Sequence, residues 1–535
     1  MLAPMHAVPA DKFITQVTQS EHALPFDIVA SYYKTERRGA PRSRVSQSHE
    51  VWQMSRWLIA VLLLTGVAVV QTPPPNDTTP FISVHAPVLV LNHVRVIDGT
   101  GAAAKENQTV VISDGKIQAV GSSGSVMITA NAQQLDRTGY SVIPGLVGMH
   151  NHLFYAGSIS LQRSPKGDVE EPGLMAVELA YTGPRLYLAA GVTTMRTTGS
   201  VEPYTDLKIK QRIDAGQMPG PKIDVTAPYL EGGPSAFAQM HELTGADDAK
   251  QLVDYWADKG TTSYKAYMHI SRDELGAEIR QAHARHFKLT GHLCSVTWHE
   301  AIALGIDDLE HGPVFTDTEF APDKKPDVCP QNGRSGWTTL EIDGPQVQAL
   351  IQDLVSHHVA VTSTLPVFEE FLPGRPKLQQ RVLDAMCAES AQSYLTLRGR
   401  IPIDSPYAPL YKKELEFELA FAKAGGLLLT GPDPTGNGGV LPGFGDQRGV
   451  ELLVEAGFTP AQAIQIATMN GATYLGQQDH IGSIAVGKQA DLVLIKGDPS
   501  KKIEDIENVE TVFKDGVGYD SQKLIESVRG QVGIR

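Results

Sequence analysis

The stretch that decides the fold is the apolar run Ser141-Val-Ile-Pro-Gly-Leu-Val-Gly-Met149, together with the triplet His150-Asn151-His152 that ends it. Because strand side chains alternate between two faces, His150 and His152 point the same way from an extended backbone. Two imidazoles side by side at a strand end form the first half of a metal site. One such pair is weak evidence for a metal site in a chain with 17 histidines. The prediction therefore depends on further ligand residues at the ends of other strands.

Seven further apolar runs follow, and stretches with helical periodicity separate them. They lie at residues 191–195, 222–225, 263–266, 288–291, 308–310, 359–362 and 426–430. Residues 273–285 and 412–424 are examples of the helical stretches between them. Eight alternating strand–helix units predict an α/β fold of the (β/α)8 TIM-barrel type.

Both flanks of this middle region are rich in short alternating strands. Residues 88–121 and 485–516 alternate apolar and polar side chains between Gly, Asn and Asp turns. We therefore predict a composite β-sandwich domain formed by the N- and C-terminal flanks. The predicted boundaries are 85–143 and 479–535 for this β-domain and 144–478 for the barrel.

The N-terminal residues indicate an export signal. The apolar run 57–70 follows Arg56 and is shorter than the roughly 20 residues that a membrane span needs. We interpret 54–72 as a signal peptide and 73–84 as a linker, which predicts a periplasmic or secreted protein; an uncleaved signal anchor is the alternative. Residues 1–53 are interpreted as a disordered or mis-assigned extension upstream of Met54.

Composition limits the class of partner. A formal net charge of −14 over 535 residues argues against nucleic acid, which rewards basic surfaces. Three cysteines without CxxC spacing exclude a disulfide-dense scaffold. We expect a small-molecule substrate and no stable membrane association after signal cleavage. A homo-oligomer is possible on this composition.

Polar residues end several of the predicted strands, where such barrels place their active sites. Lys265 lies on strand four, His292 and His311 end strands five and six, and Asp433 ends strand eight. Imidazole and carboxylate groups are typical ligands of a borderline divalent ion such as zinc. A charged lysine would repel the ion, so Lys265 is either neutralised or modified, or it is an ordinary salt-bridged or snorkelling lysine.

The motifs PGLVGMHNH, GHLCS, EHG and GSIAVGKQADLVLI, in this order over about residues 85–520, resemble the amidohydrolase superfamily. The nearest resemblance is to its imidazolonepropionase-like and Xaa-Pro-dipeptidase-like branches. One difference is that many members have Gly-Thr-Asp where this chain has Gly431-Pro432-Asp433. Proline fixes φ and removes a donor, so the backbone before this aspartate is in question.

The resemblance implies a binuclear metal centre with two divalent ions, of which Zn2+ is the expected kind. His150, His152 and Asp433 would hold one ion, and His292 and His311 the other. N6-carboxylated Lys265 and a hydroxide would bridge them. Asp433 would also be the catalytic residue, taking the proton of the hydroxide and delivering it to the leaving amine.

Substrate contacts and a disulfide are predicted from weaker patterns. Arg196, at the end of strand two, either pairs with a substrate carboxylate or forms an ion pair under the barrel mouth. Tyr267 and His241 are further predicted substrate contacts. Cys329 and Cys387 lie in two long insertions, and we predict a disulfide between them in an oxidising compartment. Cys294 is interpreted as a small buried hydrophobic residue.

These patterns predict a secreted metal-dependent amidohydrolase that cleaves amide or peptide C–N bonds of a dipeptide or an N-acyl amino acid. One alternative is a mononuclear cyclic-amide hydrolase or deaminase of the imidazolonepropionase type, which does not need Lys265. Another is a lactonase or phosphotriesterase-like hydrolase that uses the same metals. A non-catalytic binding barrel is the alternative from another class.

Overall fold

The computed structural model describes residues 78–154, 178–235 and 240–533. The predicted extension 1–53, the predicted signal 54–72 and residues 73–77 of the predicted linker lie outside this range. In the described part of the chain, no helix is both long and apolar enough to span a membrane.

The described residues contain seventeen strands, β1–β17. In chain order they are Ile82–Val84, Val88–Val96, Lys105–Ser113, Lys116–Ser122, Gln133–Asp136, Tyr140–Pro144, Leu146–Asn151, Val192–Thr197, Lys222–Val225, Ser263–Ala266, Lys288–Gly291, Asp308–Glu310, Ala360–Ser363, Leu428–Thr430, Leu492–Lys496, Val509–Lys514 and Val517–Asp520.

The same residues contain the α-helices α1–α15. In chain order they are Thr182–Ala189, Pro203–Asp214, Ala246–Lys259, Arg272–Ala284, Trp298–Leu304, Pro313–Thr316, Pro345–Ser356, Leu365–Glu369, Gln380–Ala385, Ala388–Arg398, Tyr407–Lys423, Phe444–Glu455, Pro460–Gln465, Gly471–Tyr474 and Ser521–Glu526. Short 3-10 turns occur at Thr79–Phe81, Gly333–Thr338 and Ile503–Glu507, and a π-helical turn at Ile466–Asn470 joins α13 to α14.

Eight parallel strands alternate with helices in the middle of the chain. β7–β9 form a three-stranded parallel sheet and β10–β14 a five-stranded one. Parallel bridges from Thr226 to Ser263 and from Leu230 to Ala266 connect β9 with β10. On the other side, the Asp433 amide, just beyond β14, donates to the His150 carbonyl of β7 at 3.0 Å. Seven of the eight predicted strand positions are confirmed within two residues, whereas the predicted run 141–149 is divided between β6 and β7. Closure of the ring stays a prediction.

Local sequence explains where the connecting helices begin. Helix α4 starts with a capping box, in which the Ser271 hydroxyl accepts from the Glu274 amide while the Glu274 side chain accepts from the Ser271 amide. Thr297 and Glu300 form the same pair at the start of α5. These helices lie just before β11 and β12, so their starts help to fix where His292 and His311 emerge.

The two flanks of the chain build one nine-stranded sheet, so both flanks contribute strands as predicted, while the predicted sandwich of two sheets is not what the strand pairing shows. Its order is β1-β17-β16-β15-β6-β2-β3-β4, with β5 paired to β2. The junction between the flanks is the antiparallel pairing of β15 with β6, from Leu492 opposite Pro144 to Lys496 opposite Tyr140. Since β6 runs directly into β7, this sheet holds the strand that carries the His-x-His pair. A separate apolar cluster, which includes Leu91, Val142 and Leu494, fills its interior.

Candidate metal centre

The structure brings all six predicted metal-site residues to the carboxyl ends of the parallel strands. They are His150, His152, Lys265, His292, His311 and Asp433; His292 is partly buried and the other five are buried. The Oδ1 atom of Asp433 lies 3.6 Å from His150 Nε2 and 3.4 Å from His152 Nε2. The side chains of β7 and β14 therefore converge on one point, as the strand-end rule predicts.

The remaining predicted ligands lie beside this point. The ring centroids of His311 and His150 are 4.6 Å apart, and those of His311 and His292 are 4.3 Å apart. Lys265 Nζ is 3.4 Å from His150 Nε2. Residues from five different strands thus surround a single buried space.

Three of these side chains fit a metal ion by geometry and by chemistry. The ligand atoms of His150, His152 and Asp433 all lie within 4.8 Å of one another. In addition, His311 Nε2 is buried and has no hydrogen-bond partner among the described residues. A buried polar atom is normally satisfied, so this nitrogen is available to a ligand in the same space.

In three of the four imidazoles the protein holds the nitrogen that faces away from the site, which fixes the orientation of the ring. His150 Nδ1 lies 2.6 Å from Glu310 Oε2, His152 Nδ1 lies 3.2 Å from the Gly199 carbonyl, and His311 Nδ1 lies 2.8 Å from Thr364 Oγ1. A partner on one ring nitrogen sets the tautomer and directs the other nitrogen to the metal. Glu310 and Thr364 are therefore positioning residues that sequence reasoning missed, although Glu310 stands within the EHG motif.

Arg196 is not a substrate contact, which corrects that prediction in favour of its stated alternative. Its guanidinium is buried and its Nη2 lies 2.8 Å from Asp308 Oδ2 and 2.8 Å from Glu310 Oε1. Its Nε donates to the Met149 carbonyl at 2.8 Å. Arg196 therefore supports Glu310, and through it His150, from below the site.

Unusual backbone conformations place two of the ligands. His311 and Asp433 have φ values of 73° and 48°, in the left-handed region that non-glycine residues rarely adopt. Pro432 does not disturb the strand, because its neighbours Gly431 and Asp433 make the backbone bonds to Ser363 and His150. A Cβ at Gly431 would lie 2.2 Å from the His150 amide nitrogen, so only glycine allows β14 to approach β7 here.

Burial lowers the pKa of the imidazoles and leaves them neutral, whereas neighbouring groups lower the pKa of Asp433 and leave it charged. Loss of solvent lowers the pKa of His292 to about 3 and, with the nearby Lys265 charge, holds the pKa of His150 well below its usual value. Burial alone would raise the pKa of Asp433, but the imidazoles of His150 and His152 reverse this and lower it. Neutral imidazole and ionised carboxylate are the protonation states that bind metal.

Lys265 is a fully buried amine between aromatic rings. Its Nζ lies 5.3 Å from the centre of the Tyr229 ring and 5.9 Å from that of Tyr267. Burial lowers the pKa of Lys265 to about 8, against the opposing attraction of Glu310 and Asp433. This environment contradicts the snorkelling alternative, because the amine does not reach solvent, and it leaves part of the population uncharged near neutral pH.

The predicted contacts Tyr267 and His241 have different positions. The Tyr267 ring packs against the rings of His292 and Tyr229, with centroids 5.1 Å and 4.8 Å away, so it lies in the site. His241 is half exposed, and its Nε2 lies 2.9 Å from Asp248 Oδ2 at the start of α3. Sequence reasoning missed Tyr229, although it follows predicted strand three just as the ligands follow theirs.

The predicted disulfide is wrong. Cys329 pairs with Cys294, with Cα atoms 4.9 Å apart, and not with Cys387. The insertion between α6 and α7 folds back over the end of β11, which brings Cys329 to Cys294. Cys387 is instead buried just before α10, where its amide donates to the Val532 carbonyl at 2.8 Å.

Comparisons with known proteins agree with this architecture. Residues 443–518 match the family described as "Amidohydrolase family". An imidazolonepropionase of Geobacillus sp. (strain WCH70) is 23% identical over 400 residues, which span 73% of this chain and 84% of that protein.

Solved structures show the same fold. A putative prolidase from Bifidobacterium longum superposes with a TM-score of 0.57 at 23% identity, over 82% of this chain and 98% of that one. A Xaa-Pro dipeptidase with bound methionine in its active site gives a TM-score of 0.58 at 19% identity, over 81% of this chain and 100% of that one. At these identities the likeness carries the fold alone.

Proposed function

We propose that this chain, a member of the amidohydrolase superfamily and a hydrolase acting on carbon–nitrogen bonds, is a secreted enzyme that cleaves amide or peptide bonds of dipeptides or N-acyl amino acids. The observation that carries the proposal is the buried cluster of His150, His152 and Asp433, whose ligand atoms lie within 4.8 Å of one another. Neutral imidazoles and an ionised carboxylate at the end of a parallel sheet suit a divalent metal and little else.

The proposed centre holds two divalent ions, of which Zn2+ is the expected kind. His150, His152 and Asp433 would hold one ion, His292 and His311 the other, and Lys265 would bridge them as an N6-carboxylate. The metals, when bound, supply Lewis acidity toward the substrate carbonyl and a water that is acidic near neutral pH. The buried amine of Lys265, with its pKa lowered to about 8, supports carboxylation because carbon dioxide reacts with the uncharged form.

The chain's own residues account for the proton movements. An Asp433 carboxylate oxygen takes a proton from the attacking water, whose oxygen bonds to the carbonyl carbon. As the C–N bond breaks, Asp433 returns that proton to the departing nitrogen, so that water is consumed and one acid and one amine are released. The neighbouring Thr435 hydroxyl donates to Asp433 Oδ1 at 3.1 Å and so helps to orient the carboxylate.

The disulfide supports the proposed secretion. Cys294 and Cys329 are joined beside the site, and disulfides persist in periplasmic and extracellular proteins but are rare in reducing compartments. The predicted signal at 54–72 fits the same compartment.

A second candidate function is hydrolysis of a cyclic amide of the imidazolonepropionase type. The similarity to the Geobacillus imidazolonepropionase over 84% of that protein favours it. The two proposals differ in Lys265, because only the binuclear centre requires a bridging group. Metal content per chain, with and without Lys265, therefore separates them.

The test is a substrate screen with metal-reconstituted enzyme. Dipeptides including X-Pro, N-acyl amino acids, imidazolonepropionate and lactones are offered, and metal per chain is measured for the wild type, Asp433→Asn and Lys265→Met. We expect dipeptide or N-acyl amino acid cleavage with two metals per chain, loss of turnover in D433N and loss of one metal in K265M. Asp247→Asn and Lys259→Met, which replace exposed side chains on α3, are the matched controls. Cleavage of none of the C–N substrates would overturn the proposal.

A further inference from the structure

We propose that Arg334 binds the free carboxylate of the substrate and so makes the enzyme selective for substrates that end in an unmodified amino acid. This inference rests on the proposed amide hydrolysis and deepens it by naming the group that the site recognises.

The first observation is a cavity that Arg334 shares with His292, one of the proposed metal ligands. It has a volume of about 360 Å3, and its lining includes His292, Met268, Phe315, Thr316 and Arg334. Ligand pockets for small molecules begin at about 300 Å3, so a dipeptide-sized molecule fits. His292 lies at one wall, so the bond to be cleaved would lie at that end of the cavity. Arg334 lies at another wall and is the arginine or lysine side chain that lines this cavity.

The second observation is that Arg334 is anchored but not neutralised. Its Nε donates to the Phe315 carbonyl at 3.0 Å, and its Nη1 donates to the Tyr407 hydroxyl at 3.1 Å. Its guanidinium also lies 5.4 Å from the centre of the Tyr407 ring. Among the described residues no carboxylate pairs with it. Guanidinium has five N–H donors, so three remain for a ligand, and its planar shape matches a carboxylate.

The third observation is that the wall carrying Arg334 is fixed. Cys329, five residues before Arg334, is bonded to Cys294, two residues after His292. Trp337, three residues after Arg334, is fully buried and its Nε1 donates to the Asp317 carbonyl at 3.2 Å. An arginine held on both sides loses little freedom when it binds, which favours a specific contact over a mobile surface charge.

Arg334 also takes the role that the sequence suggested for Arg196. Arg196 is occupied by Asp308 and Glu310 below the site and has no route to a substrate. Arg334 and His292 line the same cavity. A substrate whose carboxylate meets Arg334 would therefore extend its amide toward His292 and the proposed metals.

The test compares two matched substrate series on the metal-loaded enzyme. One series has a free C-terminal carboxylate, and the other has the same compounds capped as primary amides. We expect the wild type to prefer the free acids and Arg334→Gln to lower kcat/KM for them by about 10–100-fold, mainly through KM, because one hydrogen-bonded ion pair is lost. The capped series should be unaffected, and Arg334→Lys should restore part of the preference.

Arg272→Gln is the matched control, because Arg272 pairs with Asp327 at 2.9 Å in the same insertion but does not line the cavity. If R334Q lowers both series equally, or if R272Q lowers the free-acid series as selectively as R334Q does, Arg334 has only a structural role and the inference fails. If the wild type cleaves both series equally well, the inference also fails while the proposed function stands. If the wild type cleaves neither series, the proposed function itself fails.

Discussion

Glu310 shows how one buried carboxylate organises the candidate metal centre. One of its oxygens lies 2.6 Å from His150 Nδ1, while the other accepts from Arg196 Nη2 at 2.8 Å and from the Thr290 hydroxyl at 2.6 Å. Three side chains from three strands thus meet on one group. The His150 ring is held with its Nε2 toward Asp433, which is the orientation that a metal ligand needs.

We predict that Glu310→Gln weakens metal binding by about 10–100-fold, the usual effect of removing a partner that orients a ligating histidine. The amide that replaces one oxygen would face either His150 or Arg196, and both of those groups are donors. Competition with a chelating dye measures the affinity directly. Glu341→Gln, on an exposed side chain, is the control; equal affinities for the two variants would show that Glu310 does not orient His150.

Asp317 gives a pH-dependent prediction away from the metal ligands. Burial raises the pKa of Asp317 to about 7 from a normal 3.8. Its Oδ1 accepts from the amides of Trp298 and Glu319, each at 3.2 Å, whereas its Oδ2 is buried without a partner among the described residues. The folded protein therefore holds this proton more tightly than the unfolded chain does.

The direction in which the free energy of unfolding changes with pH follows from proton binding. Between about pH 4 and pH 7 the folded state binds more protons at Asp317, so its contribution to the free energy of unfolding falls as pH rises and is constant above this range. Asp317→Asn keeps the acceptor at Oδ1 and removes the charge. We expect the variant to gain stability relative to the wild type across this window, by at most about 4 kcal/mol, since one pKa unit is worth about 1.4 kcal/mol. Denaturation at several pH values measures the difference, and parallel curves would contradict it.

At the scale of elements, the strands were predictable and the insertions were not. A strand such as Lys288–Gly291 shows its position through a short apolar run with a polar residue at its end, a local pattern that the barrel geometry then turns into a shared site. The pairing of Cys329 depends instead on how the segment from Gly312 to Gly344 folds back over β11. Nothing local in the sequence encodes that path, and the prediction of Cys387 as its partner failed for this reason.

The contrast between strands and insertions also explains why the sequence pointed to Arg196 and not to Arg334. Arg196 ends a predicted strand, which predicts a position at the mouth of the site, but its ion pairs with Asp308 and Glu310 hold the guanidinium below the site. Arg334 lies in the 3-10 turn Gly333–Thr338 of the insertion, where no periodicity marks it. Its position beside His292 emerges only when the insertion is folded.

The disulfide yields a prediction for this insertion. The chain has 3 cysteines, so denaturation without reductant should expose one reactive thiol, Cys387, and reduction should expose all three. The bond closes a segment of 35 residues, and replacing both Cys294 and Cys329 by serine should cost about 2–4 kcal/mol of unfolding free energy. Three reactive thiols in the unreduced protein, freshly purified from an oxidising compartment, would contradict this pairing.

At the scale of the whole molecule, the two chain flanks support the metal strand. β15 pairs with β6, and the chain turns from β6 into β7 at Gly145, whose amide donates to the Asp491 carbonyl at 2.8 Å. The carboxyl-terminal flank therefore fixes the base of the strand whose end carries His150 and His152. The ion pair of Lys222, on β9, with Asp491 at 2.9 Å is a further contact between the parallel sheets and the nine-stranded sheet. Because the two parts are coupled, we expect a change at the metal centre to alter the free energy of unfolding of the whole protein.

We therefore predict that metal binding stabilises the fold as a whole. A ligand that binds only the folded state adds about 2.7 kcal/mol at a concentration of 100 times its Kd, which should raise the Tm in a concentration-dependent way. Dialysis against a chelator should lower the Tm, and added Zn2+ should restore it.

Asp433→Asn should show a much smaller Tm increase, because His150 and His152 alone offer two neutral ligands without the carboxylate that lies 3.4–3.6 Å from them. Asp247→Asn, at an exposed position on α3, should respond to Zn2+ like the wild type. Calorimetry of the three proteins with and without the metal is the measurement. An equal shift in D433N would mean that the metal binds elsewhere on the chain, and the assignment of this cluster would then be wrong.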